Sequence, residues 1–220
     1  MSFYLIAPMG KGKTLFTTIY AKRYSELNPD NRIFANYHLK LPNFYFTPFM
    51  FLPLSELHNC LIICDDVYAL SNVNRFTGIV ANLSRKKDIT IGITAQYYTM
   101  ITPNLRMLLP FAIYPEFDKE NKTLIYYVKE QDDLEYTEFE IENPLEYVKD
   151  VYDTTEIVLF PTEENIIHEI NRFSITLDDI DLNIELFTKN RTYKKQLKKE
   201  VLARKDYART SKKKRNIKAN

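Results

Sequence analysis

Apolar and polar positions alternate along this chain in short blocks. Phe3-Tyr4-Leu5-Ile6 is an apolar run that predicts a strand, broken by Ala7-Pro8-Met9-Gly10. From Leu15 to Glu26, Leu15, Ile19 and Tyr20 recur at helical spacing, with Lys22, Arg23 and Glu26 elsewhere, and Asn28-Pro29-Asp30-Asn31 supplies the turn. Arg32 to Tyr37 is again strand-like. Strand, helix and strand within about 35 residues make a βαβ unit, which implies a parallel sheet. Residues 38–57 are aromatic and interrupted by Pro48 and Pro53. They are expected to form a packed loop over the sheet edge, with a partner- or membrane-facing surface as the alternative. Cys60 to Cys64 (CLIIC) is continuously apolar, as suits a strand buried on both faces.

Asn72 to Lys87 reads as a helix with Phe76, Ile79, Val80 and Leu83 inward. Ile89 to Ala95 is a further strand, Pro103-Asn104-Leu105-Arg106 begins a short helix, and Leu108 to Tyr114 gives a fifth strand. Lys122 to Glu142 alternates through Leu124, Tyr126, Val128, Tyr136, Phe139 and Ile141 around Glu130-Gln131-Asp132-Asp133, the pattern of an antiparallel hairpin. Its many acids make it a poor DNA surface. Weak helix signals run from Glu163 to Arg172, followed by acidic Asp178-Asp179-Ile180-Asp181. The expected division is a core over 1–160 containing the hairpin 122–142, a helical appendage over 161–188 packed on it, and a basic tail over 189–220, helical to Ala208 and disordered at its end.

Charge sharpens this division. The chain has 30 basic and 29 acidic residues, but residues 189–220 hold 14 Lys/Arg against only Glu200 and Asp206, leaving 16 basic and 27 acidic residues before them. A basic tail on an acidic body points to nucleic acid or another anionic partner, or to a solvated, solubilising segment. Cys60 and Cys64, four residues apart on a strand, lie about 13 Å from each other, too far to bridge. They read as core cysteines, and His38, His58 and His168 are too scattered to complete a zinc site with them. With no signal peptide or spanning segment evident, the chain is expected to be soluble and intracellular.

The candidate chemistry begins in the break after the first strand. Ala7-Pro8-Met9-Gly10-Lys11-Gly12-Lys13-Thr14 has a small residue, four free positions and Gly-Lys-Thr, the phosphate-binding P-loop pattern, in the order strand, loop, helix. Residues 7–15, through Leu15 at the helix start, are the expected nucleotide contacts. Gly12 lets backbone N–H groups turn inward, Lys13 places a charge on the β/γ-phosphates, Thr14 suits Mg²⁺, and the helix dipole favours the anion. Ala7 replaces the usual glycine. Four apolar residues ending in Asp65-Asp66 put carboxylates at the carboxyl end of a strand, where ligands of open α/β sheets bind. Asp65 is the expected Mg²⁺ partner and Asp66 the group that orients or deprotonates water. Ile89–Ala95 delivers Gln96 to the same edge as a γ-phosphate sensor. Arg85 has two readings, a helix C-terminal cation or an arginine that reaches a γ-phosphate, and Arg106 is a second such candidate against a role as a surface ion-pair residue.

The set GKGKT, LIICDD, SRKKDITIGITAQ and NLRMLLPFAIYP resembles the FtsK–HerA superfamily of DNA-pumping P-loop ATPases. Within it the chain looks most like the genome-packaging NTPases of archaeal viruses, and also like the Zot-like assembly ATPases of filamentous phage. The resemblance covers roughly residues 1–160 and departs at Ala7 and at Asp66, where Glu is usual. It implies an α/β P-loop core with a mostly parallel sheet flanked by helices, to which the hairpin and the basic extension are additions. It further implies an ATP- and Mg²⁺-dependent homo-oligomeric ring that drives double-stranded DNA into a preformed capsid. Partners would be DNA and capsid or portal-vertex proteins, in the host cytoplasm or at the virion or procapsid vertex. Three other readings remain open: a Zot-like extrusion ATPase, which would need a membrane anchor; a small-molecule P-loop kinase, which would need an acceptor pocket and a lid; and a non-hydrolysing nucleotide-binding capsid component.

Overall fold

The computed structural model describes residues 2–47, 57–66, 87–153 and 199. Their strands are β1 (Phe3–Ile6), β2 (Arg32–Ala35), β3 (Phe44–Phe46), β4 (Cys60–Cys64), β5 (Ile89–Ala95), β6 (Phe111–Asp118), β7 (Thr123–Glu130) and β8 (Thr137–Glu142). The helices are α1 (Lys13–Leu27), α2 (Pro103–Leu108) and α3 (Pro144–Val148). All eight strands join one sheet in the order β3-β2-β4-β5-β1-β6-β7-β8. The pairs from β3 across to β6 are parallel, and β6-β7-β8 is an antiparallel meander. This is a mostly parallel α/β sheet, with the antiparallel hairpin added at one side.

One face of the sheet carries α1 and α3. Phe3, Leu5, Ile113 and Leu124 from the strands pack with Leu15 and Phe16 of α1 and Val148 of α3. Beside them Ala21 of α1 meets Ile33, Ala35, Tyr37, Leu61, Ile63 and Val151. Each fully buried Leu, Ile or Phe contributes about 1.5–3 kcal/mol, so these clusters pin α1 to the sheet. Gly92 is part of that fit: a Cβ there would lie 2.6 Å from Cζ of Phe3, whose ring fills the space. The buried face of α1 includes Thr17 and Thr18, which the apolar spacing did not flag. Their hydroxyls are satisfied by the Thr14 carbonyl, at 3.0 and 2.8 Å, and by the buried Tyr37 hydroxyl.

Two expectations change. The stretch 38–57 does not form only a loop, because Phe44–Phe46 adds to β2 as a parallel edge strand. The fifth core strand runs Phe111–Asp118 rather than 108–114, passing through Pro115. β1 pairs only with Phe111–Ile113, so Pro115 lies where β6 borders one strand rather than two, a position that tolerates proline. The strands of the hairpin are separated by residues 131–136 and continue from β6. Of the helix expected at 72–87 only Lys87 is among the described residues, and it is helical. The appendage over 161–188 and all of the tail except Lys199 lie outside them. Among the described residues, no helix is long and apolar enough to cross a membrane.

Candidate functional site

The loop between β1 and α1 stands at the carboxyl ends of the parallel strands. Gly12 caps α1 with φ +91°, a left-handed conformation that side chains resist. A Cβ there would also approach Leu124 Cδ1 to 2.7 Å and Phe117 Cβ to 3.2 Å, so glycine is required twice over. A glycine cap offers no side-chain acceptor, and the first turn carries no acid. The N–H groups of Lys13, Thr14 and Leu15 therefore begin the helix without intrahelical partners, the arrangement that receives an anion. Lys13 is buried, its Nζ donating to the Pro8 carbonyl at 3.3 Å, which folds the ammonium back over the loop. Lys11 instead points outward to Glu116 at 2.8 Å, an exposed ion pair.

Register decides what faces the loop. β5 lies between β1 and β4, with Ile6 level with Ala95 and Cys64 level with Ile93. Asp65 and Gln96 thus emerge on neighbouring strands at the edge where the loop begins, and the Ala7 N–H donates to the Ala95 carbonyl at 3.3 Å. Thr14 Oγ1 donates to Asp65 Oδ2 at 2.7 Å, joining residues 51 positions apart in sequence. Thr94 Oγ1 donates to Asp65 Oδ1 at 2.5 Å and accepts the Asp66 N–H at 2.8 Å. Asn36 holds the Asp65 backbone from both sides, accepting its N–H and donating to its carbonyl, each at 2.8 Å.

Burial pushes the Asp65 carboxyl above its ordinary value. Hydrogen bonds from Thr94 and Thr14 pull it down, the neighbouring Asp66 charge raises it, and Lys13 lowers it. Asp66 sits at φ +48°, and its Oδ1 is buried with no hydrogen-bond partner among the described residues. A strained backbone and an unsatisfied carboxylate oxygen mark a residue arranged for something other than stability. The adjoining hydroxyl and carboxylate of Thr14 and Asp65 are hard oxygen donors that fit Mg²⁺. Among the described residues no cluster of three His, Cys, Asp or Glu could hold a metal unaided. Mg²⁺ here would need oxygens from a phosphate as well, which is its usual manner of binding.

Of the residues expected from sequence, the structure brings together 7–15, Asp65, Asp66 and Gln96. Arg85 lies outside the described residues. Arg106 is not an ion-pair residue among them: its Nη1 donates to the carbonyls of Tyr98 and Ile101, at 2.7 and 2.6 Å, and its guanidinium stacks 3.7 Å from the Tyr98 ring. Sequence reading passed over Thr94 as a site residue. The available signal was a hydroxyl near the end of an otherwise apolar strand, two residues before Gln96. Cys60 and Cys64 are free and buried, as expected, and burial pushes the Cys60 thiol up to about 12.

No protein-family model matches the chain, and no curated protein matches it. Among solved structures, the N-terminal domain of zonular occludens toxin from Neisseria meningitidis is similar at 16% identity and TM-score 0.45, over 69% of this chain and 91% of that one. A genome packaging NTPase of Sulfolobus turreted icosahedral virus 2, in complex with ATP-gammaS, is similar at 8% identity and TM-score 0.46, over 62% and 95%. A KaiC-like protein from Pyrococcus horikoshii is similar at 10% identity and TM-score 0.44, over 64% and 84%.

Proposed function

We propose that the chain is a Mg²⁺-dependent ATPase that translocates double-stranded DNA, working as a ring to package a genome into a preformed capsid. The observation that carries the hydrolytic part is the 2.7 Å contact between Thr14 and Asp65 at the start of a helix capped by Gly12. It sets a hydroxyl, a carboxylate and a run of open N–H groups around one point. Mg²⁺ bound there by Thr14 and Asp65 would neutralise developing phosphate charge. The residues of the chain do the positioning. The loop N–H groups and Lys13 orient the polyphosphate, and Thr94 and Asn36 keep Asp65 from turning away. Asp66 orients or deprotonates the attacking water with its unpartnered oxygen, and Gln96 senses the γ-phosphate from the next strand. An arginine of the neighbouring subunit, Arg85 or Arg106, reaches the γ-phosphate.

The DNA cargo is supported by the resemblance to packaging NTPases and by the basic tail, which suits sequence-independent phosphate binding. The site is expected to operate in the host cytoplasm, with capsid or portal-vertex proteins as further partners. The test is ATP turnover with and without duplex DNA, repeated at rising salt, and with single strands and small acceptors alongside. Stimulation by duplex DNA that fades with salt is the expected result. Turnover indifferent to every nucleic acid removes the translocase reading, and transfer of phosphate to a small acceptor replaces it with a kinase.

A further inference from the structure

We propose that the purine base of the nucleotide docks in the cavity between the β6–β7 turn and α3, where the Asn143 amide reads adenine; this rests on the nucleotide site proposed above. Direction comes first. Asp65, Asp66 and Gln96 all stand on the β4–β5 side of β1, so the terminal phosphate faces that side. The nucleoside leaves over the other flank of β1, which is β6. There the loop abuts the β6–β7 hairpin, as the close approach of Phe117 and Leu124 to Gly12 shows.

A cavity of about 420 Å³ opens at this flank, lined by Phe117, Lys119, Lys122, Asn143, Leu145 and Glu146. Its size is within the range of small-ligand sites. Phe117 and Leu145 are its apolar walls, and Leu145 is 44% exposed at the beginning of α3, where it covers little of the core. The lysine stems add flanking surface that can cover a flat ring. Asn143 is held in place by its backbone: φ is +48°, its N–H donates to the Lys122 carbonyl at 2.8 Å, and its carbonyl accepts the Glu146 N–H at 3.1 Å. Its side-chain amide has no hydrogen-bond partner among the described residues. One donor and one acceptor in a plane match the adenine edge, which offers an amino donor beside a ring-nitrogen acceptor. Guanine would instead ask for a free carboxylate, and Glu146 is paired with Lys149 at 3.1 Å. The cavity lined by Tyr4, Tyr98, Tyr114 and Tyr136 is on the opposite face of the sheet from α1 and does not border the loop.

The experiment measures equilibrium binding of ATP, GTP and inorganic tripolyphosphate to the full chain and to Asn143→Gly, Leu145→Ser and Lys13→Ala. Glycine accepts the Asn143 backbone and Leu145 is exposed, so both variants should keep the thermal midpoint of the parent. The expected result is preference for ATP over GTP, a roughly tenfold loss of ATP affinity in each cavity variant, and unchanged tripolyphosphate binding. ATP binding undiminished in both cavity variants, with Lys13→Ala still defective, overturns the base site and leaves the phosphate site standing. Failure of the parent to bind either ATP or tripolyphosphate, or binding that survives Lys13→Ala, overturns the nucleotide reading itself.

Discussion

Replacing Thr94 with valine removes one hydroxyl and little volume, and two groups depend on that hydroxyl. Asp65 Oδ1 loses its donor at 2.5 Å, and the Asp66 N–H loses its acceptor at 2.8 Å. A hydrogen bond to a charged group is worth about 1.5–3 kcal/mol, and a buried amide left unsatisfied costs about 1–3. Both acids are partly open to water, which recovers some of this, so Thr94→Val should lose about 2–4 kcal/mol at pH 8. Asp65 already has a raised pKa, because burial outweighs its hydrogen bonds. Loss of the Thr94 bond raises it further. A carboxylate raised in the fold contributes stability only while protonated and loses it as pH climbs through the folded pKa. The penalty for Thr94→Val should therefore grow with pH, while Thr94→Ser, which keeps the hydroxyl, stays near the parent. Urea denaturation of the three proteins between pH 5 and pH 8 reads this out. A valine variant within about 0.5 kcal/mol of the parent at pH 8, or a difference that ignores pH, would refute the argument.

The same linkage gives Asp65→Asn the opposite sign. Removing the buried charge should raise the thermal midpoint of the nucleotide-free protein, more at pH 8 than at pH 6, while Mg²⁺-dependent turnover is lost. Gly12→Ala combines a left-handed backbone, costing about 1–2 kcal/mol, with a Cβ 2.7 Å from Leu124. Overpacking adds about 1–3 kcal/mol, and the variant should melt several degrees lower and bind ATP more weakly by calorimetry. Cys60 and Cys64 should resist a thiol reagent at pH 8 in the folded protein and react together on unfolding, since burial raises both thiols. Labelling of either at the rate of a free thiol would contradict their placement in β4.

The loop, the helix after it and the acidic strand end were legible because each is local. Gly-Lys-Thr needs no distant partner to be recognised, and an apolar run of five can only be buried. What stayed hidden depends on which strands become neighbours. Thr94 matters because β5 lies beside β4 in a register that sets it level with Asp65, and nothing within ITIGITA states that register. Tyr37 belongs with Thr17 and Thr18 for the same reason: the contact spans α1 and the end of β2, and only tertiary packing makes it. β3 carries no signal of its own, because three residues are too few for a periodicity, and its pairing with β2 defines it. For Arg106 the sequence offers a γ-phosphate arginine or a surface ion-pair residue, and neither reading names the groups it meets. Its guanidinium is instead used by two carbonyls and a tyrosine ring that the turn before α2 brings within reach.

The account stands most directly on phosphate chemistry at the loop. Release of phosphate from ATP by the purified chain should be measured with Mg²⁺, with the metal chelated, and in Lys13→Ala. Turnover should require Mg²⁺ and fall to background in the variant, because Lys13 is the buried lysine folded over the loop. Turnover that persists in Lys13→Ala, or none in the parent with Mg²⁺ present, would contradict it.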